Sequence, residues 1–173
     1  YFKYKLWDLK KINMMFKQSK NFLSKKSKKF INEVVLAPGI FPFYQAYAHP
    51  YKTKENTFKK FFGHIILARS DDTDYNKPPV WNSTYHIQFI DIVNEFCEQQ
   101  KIKIEKFYQI IIYLNDAEDK NAETVILNNK NKVIKRIKPI QYQGICFKGL
   151  PHYLKFPKFG QRVILIATFK KGK

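Results

Sequence analysis

A change in hydrophobic period near Gln100 constrains the fold of this 173-residue chain more than any other feature. Between Thr57 and Gln100, apolar residues recur three and four positions apart, a spacing that predicts amphipathic helices. After Gln100, short runs of β-branched and aromatic residues are separated by turn-forming residues, which predicts strands. This order predicts an α+β domain, with two N-terminal helices packed on short strands, followed by a strand-rich basic C-terminal part.

Two segments carry the helical period. The first predicted helix follows Thr57, a residue type that caps helix N-termini, and ends at Arg69 before an acidic loop. The second follows Ser83 and ends near Ile102, and a short strand at Val80 precedes it. The residues expected to face the core are Phe58, Phe61, Phe62, Ile65 and Ile66 in the first helix, and Ile87, Ile90, Val93, Phe96 and Cys97 in the second.

The C-terminal part contains five predicted strands and a hairpin turn. The turn is Asn128-Asn129-Lys130-Asn131, which separates two of the strands. Alternation along the last strand predicts two faces, one of them formed by Val163, Leu165 and Ala167. The five predicted strands are Lys106–Leu114, Thr124–Leu127, Val133–Ile137, Gly144–Phe147 and Arg162–Thr168.

The charge of the chain is strongly positive. Lys and Arg total 32 against 14 Asp and Glu, which gives a net charge of +18. A folded protein with so much self-repulsion is typical of proteins that bind a polyanion, either nucleic acid or an anionic membrane surface. Arginine occurs only at Arg69, Arg136 and Arg162, and the many mobile lysine charges suit phosphate contacts better than base recognition.

Residues 1–56 differ in composition from the rest and are interpreted as a basic, aromatic N-terminal extension. Phe16–Phe30 consists mostly of Lys and Ser between aromatic residues, which favours a solvated segment or one draped on RNA. Val34–Pro50 contains three prolines, which favours an extended segment laid over another surface. The remaining chain divides into an N-terminal α/β part, residues 57–131, and a C-terminal β part, residues 132–173.

No arrangement of residues in the sequence points to catalysis or to a metal. The four histidines are scattered, and Cys97 and Cys146 lack the spacing of zinc ligands. The run Asp71-Asp72-Thr73-Asp74 lacks the glycine and terminal glutamate of a calcium loop, so we interpret it as a solvated acidic loop. We therefore predict a protein that is not an enzyme, with no cofactor, no metal, no transmembrane segment and no small-molecule substrate.

Several short segments resemble, in order and spacing, the motifs of one ribosomal family. Ile65–Asp71 (IILARSD) is similar to the family's I-T-R-I-R-N-A segment, and Val80–Ser83 opens a helix as its V-P-Y-S segment does. Ile134–Pro139 (IKRIKP) is similar to I-K-R-I-S-K-P, and the family's Leu-Pro follows at the same interval, at Leu150-Pro151. From Thr57 onward, the chain thus resembles the small-subunit ribosomal protein S-eight family (bacterial type, the eighth protein of the small subunit).

This resemblance implies a structural constituent of the small ribosomal subunit, which binds small-subunit ribosomal RNA at a central-domain helix, contacts neighbouring ribosomal proteins and supports assembly. The divergence and the excess of Lys, Asn, Ile, Phe and Tyr favour a mitochondrial ribosome, and thus the mitochondrial matrix, over a plastid-like organelle or an AT-rich bacterium. The segment at residues 167–172 (ATFKKG) resembles the family's S-T-S-K-G segment, although Ala167 and Phe169 replace its serines. Ile140 replaces the glycine that follows the family's Lys-Pro, and the chain ends before the last family strand. The residues that the resemblance assigns to RNA binding are Arg69, Lys135, Arg136, Lys138, Thr168, Lys170, Lys171 and Gly172.

A second interpretation is a non-catalytic basic accessory subunit of a mitochondrial respiratory membrane complex. Its basic face would lie on anionic lipid, and Tyr1–Phe16 would serve as a weak amphipathic anchor. A third, a nucleic-acid enzyme, has no constellation of carboxylates or histidines in the sequence to support it.

Overall fold

The structure is a computed structural model that describes residues 16–38, 45–50, 61–69, 80–81, 84–101 and 108–171. The helices are α1 (Lys25–Phe30), which continues into a π-helical turn (Ile31–Val35), and α2 (His86–Gln99). The strands are β1 (Phe16–Ser19), β2 (Gln45–Pro50), β3 (Phe61–Arg69), β4 (Val80–Trp81), β5 (Tyr108–Tyr113), β6 (Thr124–Leu127), β7 (Val133–Ile137), β8 (Gly144–Phe147), β9 (His152–Leu154) and β10 (Val163–Lys171).

The strands form two sheets. The larger sheet has seven strands in the order β1-β8-β5-β10-β3-β2-β4, and the smaller has three in the order β7-β6-β9. Neighbours are antiparallel throughout, except for the parallel pair β2 and β4. Strand β10 lies at the centre of the larger sheet, where it pairs with β3 on one side and with β5 on the other.

Side-chain alternation places two separate cores on the two faces of the larger sheet. On one face, Ile110 and Ile112 of β5 pack with the helices, and Val163, Leu165 and Ala167 of β10 belong to the same cluster. On the other face, alternate residues of the same strands pack against the smaller sheet. That second cluster comprises Ala68, Ile111, Tyr113, Ile126, Ile137, Ile145, Phe147, Leu150, Ile164 and Ile166.

Helix α2 covers the first core, and α1 is anchored to α2. The ring of Phe96 in α2 meets that of Phe22 edge-on, with 5.0 Å between centroids. Ser24 caps α1, and Glu95 of α2 accepts hydrogen bonds from the Ser24 hydroxyl at 2.8 Å and from the Ser27 hydroxyl at 2.7 Å. The interpretation of Phe16–Phe30 as a solvated segment is therefore wrong over its described residues.

The prediction of a first helix is wrong where the structure describes it. Phe61–Arg69 is strand β3, and residues 57–60 lie outside the described ranges. Leu67 belongs to the core under the helices, whereas its neighbour Ala68 belongs to the core between the sheets. A strand buried on both faces has a nearly continuous apolar sequence, which hydrophobic period alone does not distinguish from a helix.

The other elements follow the sequence pattern more closely. The second helix is present but shorter than predicted, and Ile87 is 60% exposed instead of facing the core. Strands β6, β7 and β8 have the predicted bounds, and the turn after β6 closes through a bond from Asn128 N to Lys132 O of 2.9 Å. The α+β class is thus confirmed in its coarse form. In the part of the chain that the structure describes, no helix is both long and apolar enough for a membrane span.

Candidate functional site

Three buried polar side chains lie at one end of the core between the two sheets. Arg162 is 1% exposed and directly precedes β10, where alternation gives it the same face as Ile164. Tyr113 ends β5, and Thr124 begins β6 in the smaller sheet. Because these strand ends meet, one cation and two hydroxyl groups lie beside an otherwise aliphatic and aromatic interior.

The Arg162 guanidinium is held by backbone carbonyl groups of two loops. Its Nη1 donates to Ala122 O at 3.2 Å and also to Lys155 O. These acceptors fix the plane of the guanidinium group, a planar fork that carries five N–H donors in total. The low dielectric of the surrounding core strengthens any hydrogen bond from this cation to an anionic group.

The hydroxyl groups of Tyr113 and Thr124 are hydrogen-bonded to each other. Burial raises the pKa of Tyr113 to about 12, and the opposing effects of the Thr124 bond and the Arg162 charge are smaller. The phenol therefore stays protonated at neutral pH. Since one proton lies between the two oxygens, the other hydroxyl proton of the pair can be donated to a third group.

His152 lies at the start of β9 on the same interior. Its Nδ1 is 3.2 Å from Leu150 O, and its ring meets that of Phe147 edge-on at 4.7 Å between centroids. Burial lowers the pKa of His152, and the Leu150 carbonyl opposes this shift. A carbonyl oxygen only accepts, so the proton of the neutral ring is on Nδ1 and the Nε2 lone pair is left for another partner.

Carboxylates tie together the two loops that hold Arg162. Asp119 accepts from Asn121 N at 2.9 Å and from Lys158 N at 2.8 Å. Glu123 lies 3.3 Å from Arg136 and 3.5 Å from Lys155. The bonds from Lys158 N to Asp119 and from Lys155 to Glu123 hold residues 119–123 against residues 155–158, so the two carbonyl groups that bind Arg162 stay in place.

Replacing Asp119 with asparagine is expected to reduce the loss of stability in acid. The bonds from Lys158 N and Asn121 N hold the pKa of Asp119 below its ordinary value of 3.8, despite its burial. Its ionised form therefore stabilises the fold above pH 3.8, and this contribution is lost as the pH falls through the lower, folded-state pKa. Chemical denaturation between pH 2.5 and pH 6 should show a shallower slope below about pH 4 for Asp119→Asn. Glu98→Gln, at an exposed position of α2, serves as the control, and identical slopes in all three proteins would contradict this role of Asp119.

The residues assigned to RNA binding by resemblance, as far as the structure describes them, are divided between the two sheets. Lys135 and Arg136 are in β7 of the smaller sheet, and burial lowers the pKa of Lys135. Lys138 follows β7 as an exposed residue, while Arg69 and Thr168 belong to the larger sheet. Lys170 and Lys171, which lie beyond the predicted end of the last strand at Thr168, belong to strand β10, because β10 continues its pairing with β3 as far as Phe61, opposite Lys171. Gly172 and the acidic run at residues 71–74 lie outside the described residues.

Sequence reasoning missed Tyr113, Thr124 and His152 as site residues, and it noted Arg162 only as one of three arginines and as the start of a strand. One local signal was present, since Arg162 immediately precedes the apolar run Val163–Ala167. Alternation along that run gives Arg162 a buried face, and buried arginine is rare outside specific sites. The hydroxyl groups carried no such signal, because only the pairing of distant strands brings them near the arginine.

Known structures provide the comparison, since no protein-family model matches this sequence and no curated protein matches it. The chain is similar to a Pseudomonas putida prolyl-4-hydroxylase, with 10% identity, a TM-score of 0.49, and coverage of 91% of this chain and 93% of that chain. It is also similar to a collagen prolyl hydroxylase of Paramecium Bursaria Chlorella virus-1 in a 2OG complex, with 15% identity, a TM-score of 0.48, and coverage of 92% and 97%. An oxidoreductase of the 2OG-Fe(II) oxygenase family from Burkholderia pseudomallei has 12% identity, a TM-score of 0.44, and coverage of 64% and 68%.

These comparisons and the fold correct the functional predictions. The structures named above are hydroxylases or oxidoreductases, so the prediction of an S-eight family protein bound to ribosomal RNA is wrong, as is the respiratory-subunit alternative. The prediction that the chain is not an enzyme and has no small-molecule substrate is contradicted by the same structures. Ile65–Asp71, which was matched to a helix ending, lies in strand β3 as far as Arg69, and Ile134–Ile137 of the IKRIKP match lies in strand β7.

The described residues do not assemble an iron site. Non-haem Fe(II) oxygenases hold the metal with two histidines and one carboxylate. Within the described ranges, no three side chains of His, Cys, Asp or Glu come together. His152 supplies one imidazole in the neutral form that a metal requires, but the described residues do not complete the ligand set. We therefore assign no chemical step to a metal.

Proposed function

We propose that this chain binds a small organic acid between its two sheets, with a carboxylate of the ligand on Arg162. The observation that carries the proposal is the buried cluster of Arg162, Tyr113 and Thr124 at one end of an apolar interior. A planar guanidinium matches a carboxylate through two parallel hydrogen bonds. The cluster thus combines charge, fork geometry and a neutral hydroxyl donor in one buried place.

The surroundings of the cluster favour an acid with a short aliphatic body. The interior beside the cluster is formed by residues such as Ile111, Ile164 and Phe147, which have no polar side-chain atoms. A ligand with methylene groups behind its carboxylate would bury those groups against these side chains at a gain of about 0.8 kcal/mol for each. The proposed ligand class is therefore a small dicarboxylate or 2-oxo acid, and 2-oxoglutarate is the first to test.

Each residue of the cluster has a distinct role in this proposal. Arg162 binds and orients the carboxylate, and its charge does not titrate in the physiological range. Tyr113 and Thr124 donate their remaining hydroxyl proton to a carboxylate oxygen. His152 does not bind the carboxylate in this proposal, because the lone pair on its Nε2 repels a carboxylate oxygen. That lone pair instead attracts a proton donor or a cation.

We expect 2-oxoglutarate to bind the wild-type protein and to bind Arg162→Met roughly 10- to 150-fold more weakly. This range corresponds to about 1.5–3 kcal/mol for hydrogen bonds to a charged group. Isothermal titration calorimetry at fixed pH measures both affinities. Arg162→Lys keeps the positive charge but removes the planar guanidinium, so it tests the contribution of the fork separately from that of the charge.

Arg136→Met is the matched control for this experiment. Arg136 is half exposed on β7 and is paired with Glu123, so its loss should leave the affinity within about twofold. The dimethyl ester of 2-oxoglutarate, which has no carboxylate, should not bind. Equal affinities of the wild type and Arg162→Met, or undetectable binding to the folded wild type, would contradict the proposed function.

A further inference from the structure

The backbone on both sides of Arg162 is held by one side chain, that of Asn115. The Asn115 Nδ2 donates to Gln161 O at 3.0 Å, and its Oδ1 accepts from Val163 N at 2.7 Å. Gln161 and Val163 are the chain neighbours of Arg162, so the two bonds span it. A single amide thereby fixes the peptide groups that enter and leave the arginine.

The sheet register explains why Asn115 occupies this place. Ile164 of β10 pairs with Tyr113 of β5, so the same antiparallel register brings Arg162 opposite Asn115 two residues further on. Between them, Leu114 N donates to Val163 O at 2.9 Å. The backbone hydrogen bonds between β5 and β10 end at this bond. Beyond it, the Asn115 side chain takes the place of a backbone partner and supplies one donor and one acceptor.

We propose that Asn115 is a positioning residue for carboxylate binding, acting through Arg162. This inference rests on the function proposed above. Asn115 follows Tyr113 by two residues in the chain, and its side chain is bonded to the residues on both sides of Arg162. It therefore fixes the position of the Arg162 backbone relative to Tyr113 and its hydroxyl partner. The carbonyl groups of Ala122 and Lys155 then orient the far end of the arginine side chain.

Carboxylate binding requires a precisely placed guanidinium, so the loss of Asn115 should have a measurable effect on binding. Two parallel hydrogen bonds to a carboxylate need the guanidinium plane in the right place, and a displacement of about 1 Å can cost up to ~100-fold in a positioned interaction. Without the amide, the residues on both sides of Arg162 lose their side-chain anchors. The charge remains near the site, but the fork is no longer held at a fixed angle to the Tyr113 hydroxyl.

Asn128 offers a matched control for the loss of an asparagine side chain that bonds to backbone groups. Its Oδ1 accepts from Lys130 N and from Lys132 N, each at 2.9 Å, in the turn between β6 and β7. Asn128→Ala therefore removes two hydrogen bonds between a side chain and the backbone, the same number as Asn115→Ala removes. A purely structural role predicts similar effects of the two changes on thermal stability and on ligand affinity.

The experiment measures the Kd of 2-oxoglutarate for the wild type, Asn115→Ala and Asn128→Ala, each repeated in an Arg162→Lys background. We expect Asn115→Ala to weaken binding by at least about tenfold in the wild-type background and by less than about threefold beside Arg162→Lys, where no fork remains to be oriented. Asn128→Ala should change the affinity by less than about twofold in both. Asn115→Ser, which retains a short oxygen acceptor for Val163 N, should show a smaller loss and replaces the alanine variant if that variant does not fold.

Each outcome separates this inference from the proposed function. Wild-type affinity in both Asn115→Ala and Asn115→Ser would overturn the positioning role while leaving the acid site intact. An equal loss in both arginine backgrounds would also overturn it, because Asn115 would then act independently of Arg162. Failure of the folded wild type to bind 2-oxoglutarate would overturn the proposed function, and this inference with it.

Discussion

Phe96→Ala is expected to lower the free energy of unfolding by about 3–5 kcal/mol, the range for a large aromatic side chain removed from a packed core. Phe96 is fully buried in the core between α2 and the larger sheet. Its ring contacts that of Phe22 and lies over Gly144 of β8, so its removal leaves a cavity beside these two residues. Equilibrium denaturation in urea measures the loss.

A substitution at Gly144 provides a second test of how Phe96 packs. A Cβ built on Gly144 would lie 2.5 Å from Phe96 Cδ2 and 2.9 Å from Phe22 Cε1, distances that real Cβ atoms do not adopt. Gly144→Ala should therefore destabilise the wild type by about 1–3 kcal/mol but should cost much less in the Phe96→Ala background, where the ring is gone. Additive losses in the double variant would show that the ring of Phe96 does not pack on this glycine.

Leu165→Ala is expected to lower the free energy of unfolding by about 2–5 kcal/mol. Leu165 lies in the middle of β10, pairs with Leu67 and Ile112 on the two sides, and is fully buried in the same core. Because β10 is the central strand of the larger sheet, the surrounding backbone cannot close onto the cavity without disturbing both neighbours. The same urea denaturation measures this loss.

Ile87→Ala is the control for the leucine variant. It also truncates a branched aliphatic side chain to alanine, but Ile87 is 60% exposed on α2. Its effect on the free energy of unfolding should stay within about 0.5 kcal/mol, as for other exposed positions. Similar losses for the two variants would contradict the assignment of Leu165 to the core and Ile87 to the surface.

The sequence alone predicted the elements whose signals are local. Strands β6, β7 and β8 have the predicted bounds because each is short and lies next to residues that favour turns. The Asn128 side chain caps its own hairpin through bonds to Lys130 N and Lys132 N, which is the local interaction that makes such a turn readable. Alternation along β10 likewise separated the face of Leu165 from that of Ile164.

Only the tertiary structure decided that Phe61–Arg69 is a strand and that Arg162 belongs to a buried polar cluster. In strand β3, Leu67 is buried under the helices and its neighbour Ala68 is buried against the smaller sheet, so the strand has no alternation of polar and apolar faces there that would identify it. Arg162 meets a carbonyl group 40 residues away in the chain, and Tyr113 meets Thr124 across two different sheets. Such contacts depend on strand pairing over long separations, which local hydrophobic pattern does not encode. The sequence therefore determined the α+β class and most of the C-terminal strands, whereas the buried polar cluster exists only because the two sheets pack face to face.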